Sequence, residues 1–261
     1  KIEFDIAITC FSFDKENKYR NNFPKNLKKK IFTEFFDLLK SLTIDVISKK
    51  NPASINNMMK IVDELNLFNL NQKNKENSLN SIRSLLKICR EKGVIPFAVC
   101  ARHAFISKTI MNSLIIKKII NKNILEKFSK SVKTVATDLL TDMNKVFYKK
   151  ITRKQFMEKY GHLRPNTYDI TSKRYDEYKN FKFTKQNKIS DDNFKFPRAT
   201  HKKINSLLKK NEIYSINSKD LIDYFERSII AREFSKFIFT KTVSNILQKI
   251  IIFGKKLKIN R

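Results

Sequence analysis

Apolar residues follow two different periods along this chain. Residues 2–10 alternate apolar and polar side chains, which predicts a short β-strand with one buried face. From Pro24 onward the spacing is helical, because apolar residues recur every three or four positions between Leu27 and Leu42. The predicted fold class is therefore mainly α, a helical bundle with a short N-terminal β element.

Capping residues and the same helical spacing predict further helices. The expected ranges are 52–65, 79–89, Pro96 to about 115, 124–148 after Asn123 as N-cap, 153–160, 200–210 and 219–253 after Ser218 as N-cap. Gly93, Gly161 and Gly254 stand where three of these helices are expected to end. Thr152 and Gln155 have the spacing of a capping box at the start of the short helix.

These elements suggest three consecutive regions. Residues 1–20 form the short β element, and residues 21–184 form a helical domain that ends in the loop GHLRPNTYDI. Residues 185–261 form a linker and C-terminal helices that are expected to pack on the same domain.

The amino-acid composition supports a helical fold, and the high positive net charge has two possible interpretations. Only three glycines and five prolines occur in 261 residues, which disfavours all-β folds and glycine-rich phosphate loops. The net charge of +30 is typical of nucleic-acid binders, but it also follows from a genome that favours lysine, asparagine and isoleucine codons. Because the lysines are spread over every segment, we favour the second interpretation and do not expect nucleic acid as a partner.

Cysteine and histidine positions give no metal signature. The three cysteines, Cys10, Cys89 and Cys100, lack ligand spacing, so buried thiols in a reducing cytoplasm are the simplest expectation. No uninterrupted apolar run approaches about 18 residues, so no membrane partner is expected. The sequence begins with Lys1 and shows no signal peptide, which suggests a piece of a longer protein.

Three segments carry a resemblance to a known family. They are IPFAVCARHAFISKTIMNSLI at 95–115, EKYGHLRPNTYDITSKRYDE at 158–177 and ERSIIAREFSKFIFTKTVSNILQKI at 226–250. Their order and spacing resemble the central helical region of phosphoenolpyruvate-synthase-like phosphotransferases, which are related to pyruvate phosphate dikinase and, more distantly, to rifampicin phosphotransferase. The motif YGHLRPxTYDI is the most specific of these signals, and Asn166 departs from the glycine usual at its position.

The resemblance implies a protein of three domains, each with a separate role in phosphate transfer. An ATP-grasp domain would take phosphate from ATP with Mg²⁺, a swivelling domain would carry it on a histidine, and the helical region would hold the acceptor. The chain shows no glycine-rich nucleotide loop and no phosphohistidine motif, so ATP and Mg²⁺ are expected on other domains, of the same or a neighbouring chain. A small molecule or a carbohydrate-type compound is the implied acceptor.

The loop after Gly161 offers groups suited to phosphoryl transfer, which depends mainly on positioning and positive charge. We predict Arg164 and His162 as catalytic residues, with Arg164 binding an anion and His162 acting as base or orienting donor. The predicted substrate-binding residues of the loop are Thr167, Tyr168, Asp169 and Arg174. The alternative is that the arginines tie the loop together, Arg164 with Asp169 and Arg174 with Asp176 or Glu177.

Two helices supply further candidates for substrate binding. Arg102 and His103 lie on an otherwise apolar helix, where the alternative is a satisfied core histidine and an arginine that forms a salt bridge with Asp138 or Glu233. Arg232 and Lys236 share a face of the last helix, where an ion pair with Glu233 is the alternative. For the whole chain, the alternatives are a basic module that binds nucleic acid and a degenerate relative that serves as a non-catalytic scaffold.

Overall fold

The computed structural model describes residues 9–22, 24, 26–48, 51–71, 78–185 and 194–259. No strand lies among these residues, and the prediction of a mainly α fold is confirmed. The predicted strand falls almost wholly on residues 2–8, which lie outside the described residues. The helices are α1 (Lys15–Asn22), α2 (Lys29–Ile47), α3 (Ile55–Leu70), α4 (Leu79–Ile88), α5 (Ile95–Ile116), α6 (Lys122–Ser131), α7 (Val135–Phe147), α8 (Arg153–Tyr160), α9 (Arg198–Lys210) and α10 (Ser218–Lys256).

The chain divides into two compact units, each assembled from three separated segments. Unit 1 comprises Lys1–Asn57, Val99–Val132 and Asp191–Ile230. Unit 2 comprises Met58–Ala98, Lys133–Ser190 and Ala231–Arg261. The division falls within α3, α5 and α10, so each of these helices contributes residues to both units. The regions predicted from the sequence, with boundaries at 20/21 and 184/185, stay a prediction.

Unit 1 has a core that includes a buried polar cluster. Tyr224 and Ile204 are fully buried there, with 0% of each residue exposed. The Tyr224 hydroxyl donates to the backbone oxygen of His103 at 3.2 Å and lies 3.1 Å from His103 Nδ1. His103 Nε2 lies 2.8 Å from the carbonyl oxygen of Ala53. These contacts fasten the start of α3, α5 and α10 to one another.

Unit 2 has an apolar core built from α3, α4 and α10. Its buried members are Val62, Leu65, Ile82, Leu85, Cys89, Ile238, Phe239 and Ile246, with Phe234 and Phe237 packed against them. Within this core, Asn69 accepts a hydrogen bond from the Thr242 hydroxyl at 3.0 Å and donates to the Ile238 carbonyl at 3.3 Å. Phe234 and Phe237 of α10 therefore belong to the core of unit 2. The cysteines at 10, 89 and 100 are buried and form no disulfide, as expected.

Several predicted helix boundaries are wrong. Helix α10 continues past Gly254 to Lys256, and Asn217 instead of Ser218 caps its start by accepting from the Asp220 N–H at 3.2 Å. Gly93 does not end a helix, because the chain passes through it in a π-helical segment, Cys89–Val94, that joins α4 to α5. Residues 124–148 form two helices instead of one, since Val132 is extended and Thr134 starts α7 with its own capping box. Asn121, two residues before the predicted cap, accepts from the backbone N–H of Ile124 at 2.8 Å and caps α6.

The capping box at α8 is confirmed, but the role of the glycine after it differs from expectation. Thr152 and Gln155 make reciprocal bonds at the start of α8, and the helix ends at Tyr160. Gly161 has a right-handed backbone with a φ of −58°, so it is not a left-handed cap. A Cβ atom there would lie 2.4 Å from the Met157 carbonyl oxygen and 2.9 Å from Asp176 Cβ. Glycine is therefore required for space.

The continuous helix Leu79–Ile116 is long and apolar enough to cross a membrane, judged by length and composition alone. Its most apolar window of 18 residues has a mean hydropathy of 1.3, and 39% of that window is buried. A continuous helix of this length was not predicted from the sequence, because Gly93 was expected to end the helix that begins at Leu79. Core helices of soluble proteins satisfy the same criterion, so this composition does not by itself assign a membrane segment.

Candidate anion-binding site

The loop that follows α8 is held in a defined shape by backbone hydrogen bonds. The N–H of Tyr175 donates to the Leu163 carbonyl at 2.9 Å, and the N–H of Asp176 donates to the Gly161 carbonyl at 3.2 Å. Arg153, at the start of α8, donates to the Lys179 carbonyl at 2.9 Å. The two ends of the loop therefore lie beside each other next to α8.

The turn of the loop does not need the glycine that the family pattern has at position 166. Asn166 does not have a positive φ. Among the described residues, positive φ angles occur at Lys118, Lys149, Glu212 and Lys258. The N–H of Asp169 donates to the Asn166 carbonyl at 3.1 Å, and the Asp169 carboxylate accepts from the Thr171 N–H at 2.8 Å. Asparagine is compatible with this geometry because no left-handed backbone is involved.

Arg164 is buried, with 6% of the residue exposed, and its guanidinium binds other parts of unit 2. Nε donates to the Ser244 hydroxyl on α10 at 3.2 Å, and Nη1 donates to the Ser172 carbonyl within the loop. These two bonds span the loop and attach it to α10. They give Arg164 a structural role of the kind that the sequence analysis raised as the alternative.

Arg174 forms an ion pair inside the loop and also reaches α10. Its Nη2 lies 2.6 Å from Asp176 Oδ2, which is one of the two pairings proposed as the alternative. Its Nη1 donates to Asn245 Oδ1 at 3.3 Å. Next to it, Gln248 Nε2 donates to Glu177 Oε1 at 2.7 Å. The second half of the loop is thus attached to the polar face of α10.

His162 lies in a buried, positively charged environment. Only 3% of the residue is exposed, and its ring meets the Phe237 ring edge-on at a centroid distance of 4.7 Å. Burial, followed by the charges of Lys241 and Arg174, lowers the pKa of His162 to about 3, although the nearby backbone of Phe237 and Lys159 favours the protonated form. Such a histidine is neutral at pH 7 and a weak base, which favours the orienting role over proton acceptance.

A cavity of about 460 Å³ opens in unit 2 beside the residues that hold the loop. It is lined by Asn69, Leu70, Leu85, Glu158, Lys241, Thr242, Asn245, Gln248 and Lys249. Two half-buried lysines, Lys241 and Lys249, oppose one acidic residue, Glu158, so the lining carries a net positive charge. Ammonium and side-chain amide groups at such a cavity suit a small anion such as a phosphate or carboxylate.

Five polar residues of α10 line this cavity, Thr242 among them, and none was predicted from the sequence as a site residue. Lys241, Asn245, Gln248 and Lys249 are spaced i, i+4, i+7 and i+8, which places them on one face of the helix. In the sequence, this polar stripe could be recognised among the apolar residues of positions 237–253. The position of the stripe beside the loop depends on the packing of unit 2, so neighbouring residues in the sequence do not indicate it.

The remaining predicted loop residues lie at its outer turn. Tyr168 is 64% exposed, and Thr167 is partly exposed beside it. Hydrogen bonds from the hydroxyl and N–H of Thr171 hold the pKa of the Asp169 carboxyl below its usual range. None of these three residues lines the 460 Å³ cavity.

The helical candidates are divided between the units. On α10 in unit 2, Arg232 pairs with Glu233 at 3.3 Å, as the alternative interpretation expected, and Lys236 is exposed. In unit 1, Arg102 is exposed and His103 is the satisfied core histidine of the alternative interpretation. Burial, outweighing the bond to Ala53, lowers the pKa of His103. Arg232 and Lys236 therefore share unit 2 with the loop, whereas Arg102 and His103 belong to unit 1.

Metal-ligating side chains are not clustered among the residues that the structure describes. These residues contain no group of three or more His, Cys, Asp or Glu side chains that could hold a metal ion.

Comparison of the chain with models of known protein families, with curated proteins and with solved structures gives no match.

Proposed function

We propose that this chain is the acceptor-binding helical segment of an ATP-dependent phosphotransferase that resembles phosphoenolpyruvate synthase and transfers phosphate through a phosphohistidine. The ATP-grasp and phosphohistidine domains would be supplied by other parts of the same chain or by a neighbouring chain. The acceptor would be a small anionic molecule or a carbohydrate-type compound bound in unit 2.

The observation that carries this proposal is the basic cavity beside the loop. The segment 158–177, which carries the most specific resemblance, is bonded to α10 through Asn245 and Gln248, and both residues also line the cavity. Phosphoryl transfer requires positive charge around the phosphate more than covalent help from the protein. In this proposal Lys241 and Lys249 bind the anion, while Arg164 and Arg174 hold the loop in place.

His162 has a supporting role in the proposed site. Burial, followed by the charge of Lys241, lowers the pKa of His162, so the ring stays neutral. Its edge-on packing against Phe237 positions the first residues of the loop. The acceptor would have to lose its proton to another group, on the acceptor itself or on the partner domain.

The proposal can be tested by isothermal titration calorimetry with phosphoenolpyruvate and inorganic phosphate as probes. A double variant, Lys241→Gln with Lys249→Gln, should bind at least about tenfold more weakly, because each hydrogen bond to a charged group contributes roughly 1.5–3 kcal/mol. The matched control is Lys154→Gln with Lys173→Gln, two exposed lysines of unit 2 outside the cavity. Equal affinity of the two double variants would contradict the proposed site.

One alternative is favoured by a specific observation. Arg164 and Arg174, the strongest phosphate-binding candidates in the sequence, are both engaged by groups of unit 2. Such contacts would also be expected if the chain were a degenerate relative of these phosphotransferases that serves as a scaffold and binds no anion. This alternative predicts that neither phosphoenolpyruvate nor phosphate gives measurable heat with the unaltered chain at millimolar concentration.

A further inference from the structure

Helix α9 in unit 1 differs in charge from the other basic segments of the chain. It carries five cations, Arg198, Lys202, Lys203, Lys209 and Lys210, and no acidic residue. All five are exposed, and none forms an ion pair with a described residue. Elsewhere in unit 1, lysines on α2 have acidic neighbours, as Lys40 has in Asp37 at 3.0 Å. Within the part of the chain that the structure describes, no ion pair offsets the charge of α9, although Lys210 lines a pocket together with Glu16, Asp37 and Glu212.

The packing of α9 fixes the direction in which its cations project. Ile204 and Leu208 are buried, with 0% and 2% of each residue exposed. Two polar side chains of the helix also bond to the start of α10: Asn205 Oδ1 accepts from the Ser218 N–H at 2.8 Å, and His201 Nδ1 lies 3.0 Å from the Ser218 hydroxyl. Rotation of the helix would bury cations and expose this apolar stripe.

The five cations form one continuous surface. At 3.6 residues per turn they fall within an arc of roughly 140° opposite the buried stripe, and they extend over about 18 Å along the helix. Duplex nucleic acid carries one negative charge per roughly 3.4 Å of its axis on each strand, so a single strand presents about five phosphates over this length. The surface and the phosphate backbone therefore match in sign and in length.

We propose that the exposed face of α9 binds the phosphate backbone of duplex nucleic acid without sequence preference. This departs from the sequence-based expectation, which rested on the even spread of lysines along the chain. A membrane is a poorer fit, because interfacial helices insert large apolar side chains and none is exposed between Arg198 and Lys210. Glutamine and asparagine side chains suited to reading bases do not project from this arc, so the binding is electrostatic.

The test measures binding of the full chain to a fluorescein-labelled DNA duplex by fluorescence anisotropy between 50 and 200 mM KCl. The α9 variant replaces four cations with glutamine at Arg198, Lys202, Lys203 and Lys209. The control variant replaces four exposed lysines of unit 2 with glutamine, at Lys154, Lys173, Lys255 and Lys256. Both variants change the net charge by the same amount. A difference between them in DNA binding is therefore due to the position of the replaced charges.

The expected result is a change in salt dependence confined to α9. Each phosphate contact contributes about 0.9 to the slope of log K against log salt, so the α9 variant should lose roughly 3 to 4 from the slope and the control less than 1. Equal losses in both variants would overturn the proposal, as would an absence of binding by the unaltered chain at 150 mM KCl. Binding to vesicles with 30% phosphatidylserine but not to duplex would also overturn it. If the fourfold variant is unfolded by circular dichroism, Lys202→Gln with Lys209→Gln serves instead, with an expected loss of about 2.

Discussion

Gly93 lies where the π-helical segment of unit 2 meets the core, and an added methyl group tests that packing. A Cβ atom at this position would lie 2.9 Å from Phe239 Cβ and 3.2 Å from Leu65 Cδ2. The Leu65 atom ends a flexible side chain and can move. Phe239 Cβ cannot move without its backbone, so Gly93→Ala requires a shift between α10 and the π-helical segment.

Two opposing effects set the size of the change. Alanine is favoured over glycine within a helix by about 1 kcal/mol. Overpacking a well-filled core costs about 1–3 kcal/mol, and the fixed position of the Phe239 atom argues for the upper part of this range. The expected net effect of Gly93→Ala is a loss of about 1–2 kcal/mol in the free energy of unfolding.

Urea unfolding followed by circular dichroism measures this difference. Gly254→Ala is the matched control, because a Cβ atom there has as its nearest neighbour the Ile259 carbonyl oxygen at 3.9 Å. The control should be as stable as the unaltered chain or more stable by up to about 1 kcal/mol. If Gly93→Ala were as stable as Gly254→Ala, the described packing of Gly93 against Phe239 would be refuted.

Three further predictions concern buried polar groups. Tyr224→Phe removes the hydroxyl bonded to His103 and should lower the free energy of unfolding by about 1–3 kcal/mol in urea; an unchanged value would contradict the buried cluster. Arg164→Met breaks the bond to Ser244 and should speed proteolytic cleavage within residues 161–177, whereas an unchanged rate would exclude the proposed attachment of the loop. The pKa of His162 is about 3 in the folded chain, compared with 6.5 for an ordinary histidine side chain. The unfolded chain therefore takes up the proton as pH falls from 7 to 5.5, and His162→Phe should reduce the resulting loss of stability by about 1 kcal/mol; equal losses in both proteins would contradict burial of the ring.

Local signals in the sequence predicted the parts of the fold that depend on neighbouring residues. The capping box of Thr152 and Gln155 acts within one turn, and it was identified correctly. The break between α6 and α7 was missed although Thr134 and Thr137 form a capping box, because apolar spacing continues across it. Helix α1 was also missed, since its sequence KENKYRNN has no apolar stripe.

The candidate site was predicted only in part, for a different reason. The arginines of the loop could be recognised as cations, but whether a guanidinium faces a ligand or a carbonyl depends on distant segments. Ser244 lies 80 residues from Arg164, and Asn245 lies 71 residues from Arg174. The same distance in sequence hid the contribution of Lys241 and Lys249, which share a cavity with Asn69 through the packing of α10 on α3.

The most direct test of an anion site in unit 2 is lysine footprinting by mass spectrometry. The chain is acylated briefly with and without phosphoenolpyruvate, and the modification of each lysine is compared. We predict protection of Lys241 and Lys249 by the ligand, with unchanged modification of Lys154 and Lys173. Equal modification of Lys241 and Lys249 with and without saturating phosphoenolpyruvate would contradict the central claim.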